Sequence, residues 1–331
     1  SREQDGSGYG KYAQRYDAAG LAQAGEFRVN TTTVSDQNYS SVAMDAVGNF
    51  VVTWQSFGQD GSEAGVYAQR YDAAGIAQGS EFQVNSYTTS WQRFPKVAMD
   101  TNGAFVVTWS SLDQDGNAFG VYAQRYDAAG TVQGSEFLVN TTTTGHQDFP
   151  TVAMDADGDF IVTWLSRRVG IDASAYGIFA QQYNAAGVAV GGEFQVQTTT
   201  MDDMRIPTVA MDADGDFVIN WTTWNQDGSG AGVYQQRYDE PTDTAGPIVA
   251  QVFDGSRQIN PGDQLVTAVP TLTVVFSEDL NVTTGATGAN SVTNPANWRI
   301  VQNGVDVTAG VSGITFGLNP TTNKYEAGLT L

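Results

Sequence analysis

YAQRYDAAG, Tyr12 to Gly20, decides the fold, because it returns verbatim at Tyr67 to Gly75 and Tyr122 to Gly130, and in altered form from Phe179 and from Tyr234. Successive starts lie 55, 55, 57 and 55 residues apart. A second phrase, VAMD, begins at Val42, Val97, Val152 and Val209 and steps by 55, 55 and 57. Repetition at this length marks a supersecondary unit that cannot bury its apolar face alone and must stack on copies of itself.

One unit contains four extended segments, rich in β-branched and aromatic residues and bounded by Gly, Asp, Asn or Pro. In one copy they are Lys96 to Met99, Phe105 to Trp109, Gly120 to Tyr126 and Glu136 to Asn140. Alternation puts Phe105, Val107 and Trp109 on one face and Val106 and Thr108 on the other, and the apolar Val106 implies cover on both sides. The turn Asp100-Thr101-Asn102-Gly103 is short, and DAAG, with Asp first and Gly last, fits a type I turn closed by a left-handed glycine. The units are therefore read as antiparallel meanders. The expected fold class is all-β: tandem four-stranded antiparallel units of about 55 residues, β-propeller-like, with an open stack of β units as the competing arrangement. A helical solenoid is disfavoured because no 3.6-residue apolar period survives across a unit.

The third segment occurs five times and the other three occur four times each, so the array opens inside a unit, with Ser1 aligned to Ser56. This leads to the expectation of a segment of a longer polypeptide, or of an open sheet edge that a neighbour completes.

The charge balance limits the partners. Among 331 residues the net charge is −21, with lysine only at Lys11, Lys96 and Lys324. Such a surface repels phosphates, which argues against nucleic acid and anionic lipid and favours cations. Without cysteine there are no disulfides and no thiolate metal sites. No stretch approaches the ~18 consecutive apolar residues of a membrane span, so direct membrane insertion of this segment is not expected.

The repeat pattern defines a domain over residues 1–240, starting mid-repeat, followed by a linker at 241–245 within DEPTDTAGP. Residues 246–331 are expected to form an Ig-like β-sandwich, incomplete at its C-terminal end, from the segments Ile248 to Phe253, Thr271 to Phe276, Trp298 to Gln302 and Ile314 to Phe316. The runs LTVVFSEDLNV (Leu272 to Val282) and NPANWRIVQNG (Asn294 to Gly304) resemble bacterial immunoglobulin-like modules of surface-layer and adhesin proteins. The repeats, seen in Val209 to Trp221, Gln226 to Tyr238 and Gly191 to Gln197, resemble those of very large secreted bacterial proteins. That resemblance implies an extracellular or cell-surface location and adhesive or scaffolding duties. It implies no reaction.

Two loop types carry clustered carboxylates. DADGD places Asp155, Asp157 and Asp159, and again Asp212, Asp214 and Asp216, at alternate positions around a glycine. Calcium takes six to eight oxygen ligands and is one reading. An Asp-Gly hairpin turn on an acidic surface is the other, and the equivalent turns DAVGN (Asp45 to Asn49) and DTNGA (Asp100 to Ala104) lack the middle carboxylate. The QDG loops bring Asp5, Asp60, Asp115 and Asp227 onto one side of the array, where they are either ligand-facing or solvated turns.

The recurring Arg15, Arg70, Arg125 and Arg237 are expected to pair with a nearby Asp or Glu in each unit, and Trp54, Trp109, Trp164 and Trp221 to anchor the core. His146, the sole histidine, reads as a surface residue, and the threonines at 31–33, 141–144 and 198–200 as polar loops open to O-linked sugar. With one histidine and no cysteine, no catalytic residue is assigned, and the chain is not expected to be an enzyme. The turns before the tryptophans lack the S-x-D-x-G-x-T-W boxes of sialidase-type propellers. The expected function is a non-catalytic structural or adhesive segment of a secreted repeat protein, with copies of itself or surface and matrix components as partners. The alternatives are a lectin-like propeller that binds glycans and a filament subunit completed by strand addition between chains.

Overall fold

The computed structural model describes residues 1–167, 176–197, 205–224, 228–238, 249–254, 257–259, 271–276, 301–302, 305–306, 313–319 and 324–330, none of them helical. Two compact units result, Ser1–Pro241 and Thr242–Leu331.

The first unit opens with a half sheet, β1 (Tyr12–Tyr16) and β2 (Ala22–Arg28). Three four-stranded sheets follow: β3 (Gln37–Met44), β4 (Phe50–Phe57), β5 (Ala64–Tyr71) and β6 (Phe82–Gln83); then β7 (Gln92–Met99), β8 (Phe105–Leu112), β9 (Phe119–Tyr126) and β10 (Val132–Leu138); then β11 (His146–Met154), β12 (Phe160–Arg167), β13 (Tyr176–Tyr183) and β14 (Ala189–Gln195). The last sheet contains β15 (Arg205–Met211), β16 (Phe217–Trp224) and β17 (Ala231–Tyr238). Sequential strands pair antiparallel throughout, so each sheet is a meander.

The first strands of successive sheets lie against one another, β3 on β7, β7 on β11 and β11 on β15. The hairpin turns that follow them, at Asp45, Asp100, Asp155 and Asp212, line one axial pocket. Each sheet is thus a blade, in a four-blade propeller arrangement with its first strand innermost.

Packing between blades explains the composition of the second strand. Phe105 through Ser111 are all buried, because one face of β8 meets the preceding blade and the other meets the following one. Val51 and Val66 of one blade share a core with Phe105, Val107 and Trp109 of the next, and Val106 and Val121 share another with Phe160, Val162 and Trp164. Trp54, Trp109 and Trp164 are wholly inaccessible, as expected of core anchors. Within every blade a Phe of the second strand stacks on a Tyr of the third: Phe50–Tyr71 at 4.9 Å, Phe105–Tyr126 at 4.7 Å, Phe160–Tyr183 at 4.9 Å and Phe217–Tyr238 at 4.8 Å. Burial pushes the Tyr71 phenol up to about 12, with a smaller contribution from the Glu81 charge.

Polar ties repeat with the same step. The guanidinium of Arg15 donates to the carbonyls of Ala73 and Ala74 in the next blade, Arg70 to Ala128 and Ala129, and Arg125 to Ala185 and Ala186. The expectation of carboxylate partners is therefore corrected for these three. Of the four recurring arginines, Arg237 makes an ion pair among the described residues, with Asp216 at 2.9 Å. The DAAG turn exposes two carbonyls in a row at the reach of a planar, forked donor, and a carbonyl leaves no signature in sequence. A second tie runs the opposite way: Glu81 accepts from Thr31 N and Thr32 Oγ1, Glu136 from Ser86 N, and Glu193 from Thr141 N and Oγ1.

The second unit holds β18 (Val249–Asp254), β19 (Arg257–Ile259), β20 (Thr271–Phe276), β21 (Val301–Gln302), β22 (Val305–Asp306), β23 (Gly313–Asn319) and β24 (Lys324–Thr330). Five of them form one antiparallel sheet in the order β19-β18-β20-β24-β23, and β21 pairs with β22. The expected linker at 241–245 and Trp298 lie outside the described residues.

Candidate functional site

Every inner strand carries one irregularity at the same place. Its register against the second strand slips between Asn38 and Ser41, Arg93 and Lys96, Asp148 and Thr151, and Arg205 and Thr208. Inside each slip one residue has left-handed backbone: Tyr39 (φ 50°), Phe94 (φ 56°), Phe149 (φ 54°) and Ile206 (φ 45°). For side chains this bulky the conformation costs of order 1–3 kcal/mol per position, and such strain collects at working sites. Pro95, Pro150 and Pro207 follow directly, and a bulge is where a strand tolerates a residue with no N–H.

A bulge re-aims a side chain, and here it assembles a cluster. Tyr39 and Phe94 meet edge to face with centroids 4.7 Å apart, and Phe94 stacks on Phe149 at 4.6 Å with 20° between planes. Three blades thus contribute one ring each to a single patch beside the axis. Tyr39 remains 55% and Phe149 37% accessible, and Ile206 at the fourth equivalent position is also exposed. Clustered rings left open to solvent mark an interaction surface.

The residue before each left-handed position is not constant: Asn38, Arg93 and Asp148 in the three blades that carry rings, and Arg205 before Ile206. Arg93 donates to Asp148 across the blade boundary, and its guanidinium sits 3.6 Å over the Phe119 ring and 4.8 Å over Phe94. Asp148 is buried under this contact. The patch is therefore flanked by a neutralised charge pair. Sequence reading missed the cluster, although the recurring Phe-Pro pairs at Phe94-Pro95 and Phe149-Pro150 carried its signal.

At the opposite end of the inner strands, the aspartates that open the DADGD-type turns bend back on their own backbone. Asp155 Oδ1 accepts from the N–H groups of Asp157, Gly158 and Asp159, and Asp45, Asp100 and Asp212 cap their turns in the same way. Asp159 accepts from Ala185 N, and Asp216 binds Arg237. Burial, then the Asp159 charge, pushes the Asp155 carboxyl up to about 6. Among the described residues no three or more His, Cys, Asp or Glu groups are placed to hold a metal, so the geometry adds no support for calcium at Asp155, Asp157, Asp159, Asp212, Asp214 or Asp216.

The QDG aspartates turn inward. Asn30 donates to Asp5 at 3.2 Å, and a Cβ on Gly65 or Gly120 would fall 2.6 or 2.8 Å from the carboxylate of Asp60 or Asp115. Burial raises the Asp115 carboxyl above its ordinary range. Asp227 and the threonines at 198–200 lie outside the described residues. His146 is exposed, its ring 6.0 Å from Phe119.

No protein-family model and no curated protein matches the chain. Solved structures do. An endo-arabinase from Bacteroides thetaiotaomicron is 17% identical over 62% of this chain and 77% of its own, with a TM-score of 0.39. An ulvan lyase, a polysaccharide lyase, is 11% identical over 82% and 74%, with a TM-score of 0.46. An α-L-arabinofuranosidase from Fusarium graminearum is 11% identical over 92% and 81%, with a TM-score of 0.42. The likeness is one of fold.

The similar structures are glycan-processing enzymes, which runs against the expectation of a non-catalytic structural or adhesive segment that is no enzyme. That expectation rested on the lack of cysteine and of a second histidine, yet the bulges bring Asn38, Arg93, Asp148 and Arg205 to equivalent places, so the repeat is not uniform where the blades converge.

Proposed function

We propose that the propeller unit binds glycans, with sugar rings packing on Tyr39, Phe94 and Phe149. The observation that carries this reading is the left-handed bulge, repeated in three blades, that sets half-buried Phe94 against both Tyr39 and Phe149 and leaves those two open to solvent. A pyranose presents a face of polarised C–H bonds that suits the electron-rich face of an aromatic ring, while its hydroxyls stay in water or meet nearby polar groups. Retaining costly backbone at successive positions is compensated by such a use.

The electrostatics select among glycans. A net charge of −21 repels uronates, sulfates and sialates, and Arg93 is already committed to Asp148. Uncharged polysaccharides are the class this surface accepts. The resemblance of the repeats to secreted bacterial proteins supports an extracellular setting.

Affinity electrophoresis through gels containing neutral or acidic polysaccharides tests the reading. Retardation by a neutral polymer, lost in Phe149→Ala and Tyr39→Ala, is the expected result. Free migration through every gel, or equal retardation of both variants, would refute it.

A further inference from the structure

The start of each inner strand is far less uniform than its end. It reads Asp36-Gln37-Asn38, Trp91-Gln92-Arg93 and His146-Gln147-Asp148 in three successive blades. The central glutamine is constant and wholly buried, and its side-chain amide donates each time to a carbonyl three residues upstream, that of Val34, Thr89 or Thr144. Its two neighbours point to the other face, as strand alternation requires, and differ in every blade. At the far end of the same strands, Met44-Asp45, Met99-Asp100 and Met154-Asp155 do not vary. Side chains that only pack or turn recur with the repeat. Those that diverge at one end of otherwise matching strands face something that is not repeated.

Trp91 is the large aromatic of that row. Trp54, Trp109 and Trp164 are wholly buried, whereas Trp91 is half-buried and meets Phe57 of the preceding blade edge to face, with centroids 5.4 Å apart and 86° between planes. Its backbone is fixed from two sides, bridged to Ala64 of the preceding blade and accepting at its carbonyl from Leu112 N at 2.9 Å. The indole is thus held in place without serving as a core anchor. It lies three residues before Phe94, roughly 10 Å along extended backbone, with Arg93 between them.

We infer that the bound glycan is a linear chain of several sugars, with Trp91 as a second stacking position beyond the patch; this rests on the proposed glycan binding at Tyr39, Phe94 and Phe149. A single pyranose ring is too small to cover both positions, and a short chain spans them. Between them the chain crosses Arg93, whose guanidinium lies 4.8 Å from the centre of the Phe94 ring and donates to Asp148. The polar strip under the intervening sugar therefore carries no net charge and offers N–H groups to its hydroxyls.

The test is isothermal titration calorimetry of the full chain with neutral cello-, xylo- and mannooligosaccharides, each as a disaccharide and a hexasaccharide. The parent chain should bind one of these hexasaccharides at least about tenfold more tightly than its disaccharide. In Trp91→His, which takes the residue of the equivalent position in the next blade, that ratio should fall below about threefold, and Trp91→Phe should keep most of it. If Trp91→His does not fold, Trp91→Asp, with the residue of the preceding blade, serves under the same criterion. Should no oligosaccharide bind the parent, the glycan reading falls and the inference with it. If oligosaccharides bind but the parental ratio is close to one, or the ratio is unchanged in a folded Trp91→His or Trp91→Asp chain, the inference alone is overturned.

Discussion

Phe94 and Phe149, 55 residues apart in sequence, stack with centroids 4.6 Å apart because both sit at a left-handed bulge in adjacent inner strands. One step of the repeat becomes one ring in a shared patch. The contact ties the periodicity of the chain to the surface on which a glycan is proposed to lie.

The interblade arginines set the first prediction. Arg70 donates to two carbonyls of the following blade, and charge-assisted hydrogen bonds are worth about 1.5–3 kcal/mol each when well placed, less where solvent reaches them. Arg70→Ala should lower unfolding free energy by about 1–2 kcal/mol in urea titration. Arg70→Lys should recover less than half of this, because an ammonium lacks the planar fork. Full recovery by lysine would mean that charge alone matters.

Equivalent valines should respond unequally. Val97→Ala removes buried methyl groups from an interblade core and should cost about 1–2 kcal/mol, whereas Val42→Ala, at an open face, should stay within about 0.5 kcal/mol. Chemical denaturation of the two variants decides. Equal losses would contradict the stacking described for these blades.

A pH dependence follows from Asp155. Its folded carboxyl is raised from 3.8 to about 6, so between those values the folded protein holds a proton that the unfolded chain has released. Stability from this group is therefore present at low pH and lost as pH rises through about 6. Asp155→Asn keeps the oxygen that accepts from the turn and removes the charge. It should raise the melting temperature at pH 7 and leave it nearly unchanged at pH 4, as calorimetry at the two values would show. A lower melting temperature at pH 7 would put the value of the carboxylate in its charge.

The repeat, the meander order and the tryptophan core were legible in sequence because each depends on local pattern: alternation in Phe105 to Trp109, and a left-handed glycine such as Gly130 (φ 80°) closing its turn. The inner strand was harder. Its reading began at Lys96, whereas β7 starts at Gln92, because Pro95 was taken as a boundary when it marks a bulge within the strand. The same misreading hid Tyr39, Phe94 and Phe149. Nor did any local pattern show that the arginines reach backbone carbonyls, since every residue offers one. The QDG aspartates illustrate the converse, for a polar loop motif says nothing of which way its carboxylate turns, and Asp5 turns to Asn30.

Saturation-transfer difference NMR tests the central claim most directly, with the protein's aromatic protons irradiated in the presence of neutral oligosaccharides. The account expects transfer to the C–H protons on one face of a sugar ring, abolished in a folded Tyr39→Ala, Phe149→Ala double variant. Absence of transfer for every neutral sugar, or undiminished transfer in the double variant, would contradict it.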